Sequence, residues 1–144
     1  MNLTAGNDIK LSGDSMTWAH NLTAGAGNNI TLENVQVRNN LISAAKGDIS
    51  LSNNTVFANN NIVLDAGKNL TTVNTASKNF IARAGADLTV TGAGDTVSGR
   101  GDLSLQAGGQ LVIPTTAKAG TQGDGGSLTL AAGKELQLKE ASAE

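Results

Sequence analysis

An alanine followed four residues later by a large aliphatic residue recurs seven times along this chain. The pairs are Ala5 with Ile9, Ala26 with Ile30, Ala45 with Ile49, Ala66 with Leu70, Ala84 with Leu88, Ala107 with Leu111 and Ala132 with Leu136. In six of them a glycine follows the alanine, and Lys46 is the exception. The steps from alanine to alanine are 21, 19, 21, 18, 23 and 25 residues, as differences of those numbers. An internal repeat of this period marks stacked modules, each burying its apolar face against its neighbours.

The repeat extends to both sides of the anchor. Four residues before each alanine stands Met1, Leu22, Leu41, Ile62, Phe80, Leu103 or Leu128, and two before it Leu3, Ala24, Ser43, Leu64, Ala82, Leu105 or Leu130. Two residues beyond the second aliphatic stands Leu11, Leu32, Leu51, Thr72, Val90, Ile113 or Leu138. Alternation with period two predicts strands with one buried face. A third short strand precedes these, carried by Met16 and Trp18, Val35 and Val37, Val56 and Ala58, and Val97 and Gly99. It fades where Asn74 and Ala76 take those places, and it is unrecognisable in the seventh copy. The length variation is assigned to the corner between the second and third strands, including the stretch from Pro114.

These features predict an all-β chain folded as a right-handed parallel β-helix of about seven rungs, with three short strands per rung. Residues 1–144 form one repeat segment, with copies at approximately 1–15, 16–34, 35–55, 56–73, 74–96, 97–121 and 122–144. Asp8, Asn29, Asp48, Asn69, Asp87, Gln110 and Glu135 form one polar column, and Asn21, Asn40, Asn61, Asn79, Asp102 and Ser127 a second. Such side chains bond backbone groups in turns and can stack as ladders. With rungs about 4.8 Å apart, the rod would be on the order of 30 Å long. An antiparallel sandwich is the competing architecture, but hairpin signals are not regularly placed.

Composition agrees. The chain holds 18 Gly, one Pro, no Cys and three aromatics, Trp18, Phe57 and Phe80. Gly and Asn supply the positive φ values that tight turns need. The absence of Cys removes disulfides, thiol nucleophiles and zinc–thiolate sites. A net charge of -2 without a basic block gives no electrostatic footprint for nucleic acid. No apolar run approaches the roughly 18 residues of a membrane span, so membrane insertion is not expected. The opening residues lack the basic and apolar regions of a signal peptide, so the chain reads either as cytosolic or, in preference, as an interior segment of something larger.

The units HNLTAGAGNNITLENVQVRNN, LISAAKGDISLSNNTVFANNN and IVLDAGKNLTTVNTASKN resemble haemagglutinin repeats. Such repeats occur in filamentous haemagglutinins and in the stalks of contact-dependent inhibition toxins. The likeness covers essentially the whole chain and is weakest from Pro114 to Gly126. It implies two-partner secretion through an outer-membrane transporter of a Gram-negative bacterium. It also implies a secreted or surface-bound parent protein that adheres to a host or target-cell receptor, or presents a distal toxin. The partners it implies within the rod are the neighbouring β-helix repeats. The alternative is a fragment of a β-helical carbohydrate-active enzyme.

Catalysis on such a scaffold needs clustered acids or a base in a groove. The acids here fall largely into the turn columns, and the single histidine, His20, stands in a short corner. The chain is therefore read as no enzyme, with no cofactor and no metal. "GDGGS" at 123–127 is a poor match to calcium-binding repeats. The Thr residues form no regular ice-binding array. Asn-x-Thr sequons at Asn2, Asn21, Asn29, Asn53 and Asn69 arise from a turn Asn, an inward aliphatic and an outward Thr.

Two candidate contact sites remain. Residues after the leading aliphatic face solvent, and in the middle rungs these are Ile42, Val63 and Ile81, an apolar stripe that could contact a partner. Equally, β-branched residues stack well along a parallel ladder. Arg100-Gly101-Asp102 is an integrin-type cell-binding tripeptide, although Asp102 also fits the Asn column.

Overall fold

A computed structural model describes residues 1–13, 17–52, 56–91, 96–99, 101–120 and 125–143. Met16, Asn53, Arg100 and the Gly123-Asp124 pair lie outside the described residues, as do the side chains of Val56, Ala76 and Val97. The chain is all-β and coils as a parallel β-solenoid of about six turns, the interval that seven alanine anchors bound. Crossovers between parallel strands of this kind are right-handed as a rule.

The first turns alternate short and long strands. They are β1 (Asn2–Ala5), β2 (Ile9–Leu11), β3 (Thr17–Ala26), β4 (Ile30–Glu33), β5 (Val35–Ala45), β6 (Ile49–Ser52), β7 (Val56–Ala66), β8 (Leu70–Val73), β9 (Thr75–Ala84) and β10 (Leu88–Thr91). Then follow β11 (Thr96–Gly99), β12 (Leu103–Ala107), β13 (Gln110–Ala119), β14 (Leu128–Ala132) and β15 (Glu135–Ala143). One parallel sheet runs β1-β3-β5-β7-β9, a second runs β2-β4-β6-β8-β10, and β13 joins them by pairing with both β10 and β11.

The expected third strand does not stand alone in most rungs. In β3, β5, β7 and β9 it continues into the first strand, and the Asn corner is a bend within one long strand. Register shifts between Ala19 and Asn21 and between Ala58 and Asn61 mark that bend. In β13 and β15 the third strand instead continues from the second.

The anchors stack as their spacing requires. Ala5, Ala26, Ala45, Ala66, Ala84, Ala107 and Ala132 pair in sequence along the ladder. Ala26, Ala45, Ala66, Ala84 and Ala107 are buried, as are Ile30, Ile49, Leu70, Leu88 and Leu111. Leu22, Leu41, Ile62, Phe80 and Leu103 fill a further fully buried column. Each such aliphatic contributes about 1.5–3 kcal/mol by leaving water. Alanine at the anchor leaves room for these larger side chains in a narrow cross-section.

Three expectations are corrected. The third-strand register shifts by one residue at both places where the apolar signal is weak. Thr17 and Ala19, not Met16 and Trp18, align with Val35 and Val37, and Trp18 is 65% exposed. Likewise Thr75 and Ser77, not Asn74 and Ala76, align with Val56 and Ala58 and are buried. In the last copies the third strand does exist: Ala117 and Ala119 pair with Val97 and Gly99 and are buried. Pro114 therefore belongs to β13, and the long excursion lies between Ala119 and Leu128, at the corner expected to be constant.

The glycines after the anchors serve a purpose other than positive φ. Among the described residues only Asn34, Asn74, Gly120 and Gly125 have φ between 56° and 70°. Asn34 and Asn74 are single-residue corners between β4 and β5 and between β8 and β9. At the anchor corner the requirement is close approach instead. A Cβ on Gly27, Gly67, Gly85, Gly108 or Gly133 would lie 2.0–2.2 Å from the carbonyl oxygen of the preceding rung. Lys46 shows the consequence of a side chain there. Its N–H reaches the Ala26 carbonyl at 3.4 Å, against 2.8–3.0 Å for the corresponding glycines.

Candidate functional site

The outward surface is built by strand alternation, so every candidate contact is a column of residues one rung apart. Asn2, Thr23, Ile42, Val63, Ile81, Ser104 and Thr129 pair in sequence as one such column. The three apolar members stand side by side. Ile42 is 45% exposed, while Val63 and Ile81 are half-buried. This is a narrow stripe with polar residues at both ends.

Of the tripeptide, Gly101 and Asp102 are described. Gly101 is buried and its N–H donates to the Lys78 carbonyl at 2.7 Å. The Asp102 carboxylate accepts the Ser127 N–H at 3.0 Å, and the Asp102 N–H reaches Asn79 Oδ1 at 3.3 Å. Asp102 thus works as a rung of the Asn column. That column is a ladder of amides: Asn40, Asn61 and Asn79 each donate Nδ2 to Oδ1 of the preceding member at 2.9–3.0 Å.

The second column is also a ladder. Oδ1 of Asp8, Asn29, Asp48, Asn69 and Asp87 accepts the backbone N–H of the next member, at 2.8–3.3 Å. Acid and amide alternate along it, Asp8, Asn29, Asp48, Asn69, Asp87, Gln110, Glu135. Carboxylates are therefore two rungs apart, about 10 Å, where exposed like charges repel weakly at ordinary salt.

Comparison with protein-family models, with curated proteins and with solved structures finds no match. The candidate surfaces therefore rest on their own geometry.

Beside the anchor corner runs an open groove of about 610 Å³, lined in part by Gly67, Gly85, Gly108 and Gly133. Asp65, Arg83 and Gln106 also line it, and among the described residues Asp65 is the one carboxylate there. Among the described residues no group of three His, Cys, Asp or Glu is placed to hold a metal ion. Among the described residues no helix is long and apolar enough to cross a membrane.

Sequence reasoning placed Trp18 inside the coil and so missed an exposed aromatic. The signal was available in Ala19, whose small side chain fits the inward position that alternation then denies to Trp18.

Proposed function

We propose that this chain is a rigid stalk segment of a large secreted bacterial surface exoprotein of the filamentous-haemagglutinin kind. It mediates adhesion, or carries a distal receptor-binding or toxin domain away from the cell. The observation that supports this most is the unbroken parallel register from Ala5 to Ala132, which makes a stiff unit extendable by further rungs at either end. The structural work is spread over every rung, as a stalk requires, and the surface columns are those of a repeat. On this reading its partners are the adjoining repeats, an outer-membrane transporter during export, and a receptor on the host or target cell.

The test uses antibodies raised against the chain on intact cells of the source bacterium and on its medium. Label at the surface or in the medium, lost on deletion of the transporter, is the expected result. Antigen confined to the cytoplasm overturns the proposal.

A further inference from the structure

Trp18 is the only tryptophan of the chain, and 65% of it is open to solvent. It lies on the outward side of β3 between Thr17 and Ala19, and its partner on the next rung is Gln36. Two small recesses flank it. One, of about 120 Å³, is lined by Trp18, Ala19, His20 and Arg38. The other, of about 170 Å³, is lined by Trp18, Gln36, Val37, Arg38 and Asn59. Arg38 lines both and is itself exposed. Among the described residues no carboxylate lines either recess.

An exposed indole amid amide, imidazole and guanidinium groups has a definite chemistry. Its face offers an apolar, electron-rich plane, and its rim offers hydrogen-bond donors. A protein partner would require a wider apolar core around the tryptophan. Among the described residues the other exposed large apolar ones, Met1, Ile42 and Leu136, line neither recess. The recesses are too small to enclose a ligand of drug size, which takes about 300 Å³ or more. They suit the substituents of a ring that lies on the indole. A sugar ring meets this description, with C–H bonds on its face and hydroxyl groups around its edge. The planar guanidinium of Arg38 adds bidentate recognition of a carboxylate or sulfate.

We infer that Trp18, Arg38, Gln36, Asn59 and His20 form a binding platform for an acidic saccharide, with the sugar ring on the Trp18 indole and its anionic group on Arg38. This names a ligand class for the adhesive reading and rests on it. Binding in solution is measured apart from export, so the two can fail separately.

The single tryptophan makes the test direct, because all indole emission comes from the site. The chain is titrated with hyaluronan, which carries carboxylates, with heparin, which also carries sulfates, and with neutral dextran. Saturable change in emission with hyaluronan or heparin, and none with dextran, is expected. Which of the two acts identifies the anionic group. In a parallel binding assay by calorimetry, Trp18→Ala and Arg38→Ala each weaken affinity about tenfold, while Trp18→Phe retains part of it. Circular dichroism confirms that the exposed substitutions leave the fold intact. Silence with both acidic saccharides overturns the inference. So does binding that persists unchanged in Trp18→Ala, which would place the charge contact elsewhere. Emission that responds only to the chain's own concentration would assign Trp18 to a protein contact and also overturns it.

Discussion

At the scale of single residues, the fold depends on what is absent as much as on what is buried. The Gly85 Cα faces the Gly67 carbonyl, and a methyl group there would meet that oxygen at 2.2 Å. Gly6 has nothing within 4 Å of the same position. Gly85→Ala should therefore cost about 1–3 kcal/mol through overpacking against rigid backbone. Gly6→Ala should be neutral or stabilising by up to about 1 kcal/mol, since its φ is not in the left-handed region. Chemical denaturation of the two variants checks the contrast, and equal loss in both would refute the close-approach account. A second residue is out of place for the opposite reason. Thr72 is fully buried between Leu51 and Val90, and its hydroxyl has no hydrogen-bond partner. A buried unpaired hydroxyl costs about 1–3 kcal/mol, so Thr72→Val should raise stability by about 1 kcal/mol. An unchanged or lowered denaturation midpoint would mean that the hydroxyl finds a partner.

At the scale of elements, the polar ladders tie each rung to the next where the strands turn. Asn69 donates both its backbone N–H and its Nδ2 to Asp48 Oδ1, and its own Oδ1 accepts from Asp87 N–H. Asn69→Asp would remove one donor and put carboxylates on three successive rungs. A loss of about 1 kcal/mol is expected at low salt, shrinking as salt screens the repulsion. A loss independent of salt would assign the effect to the missing hydrogen bond alone. These ladders were legible in the sequence because the fixed corner keeps their spacing to the anchor. So were the first and second strands, whose aliphatic residues alternate cleanly. The third strand was half legible. Its inward residues Ala19, Thr75, Ser77 and Ala117 are small or polar, so hydropathy carries no phase there. One-residue shifts at the Asn bend then slide the pattern onto Trp18 and Asn74. The role of the anchor glycines was also hidden, because close approach between rungs is a property of stacking and leaves no local signature beyond the glycine itself. The stripe of Ile42, Val63 and Ile81 was legible as a position, and its meaning was not, since β-branched residues suit a ladder with or without a partner.

At the scale of the whole molecule, the end rungs differ from the middle. β1 and β2 pair on one side only, as do β14 and β15. Met1 at one end is 50% exposed and Leu136 at the other is 42% exposed. Unpaired parallel edges with open core residues invite another strand. The chain at high concentration should therefore self-associate through its ends. Sedimentation velocity should show Leu136→Lys reducing the association and the triple change of Ile42, Val63 and Ile81 to Thr leaving it intact. The reverse pattern would move the contact from the ends to the stripe. Stacking in register end to end would set Glu135 of one copy beside Asp8 of the next, so added salt should strengthen the contact.

The bonds that join one rung to the next run along the rod, and this determines how it bears load. Tension along the rod passes through every turn in series, but an end turn is paired on one side only and so peels first. The rod would yield by shedding one coil at a time while the remainder stays intact. Each event would release the length stored in one repeat, about 70 Å at the reach of an extended chain. In the stalk proposed above, such a rod would lengthen in steps and limit the force passed along it.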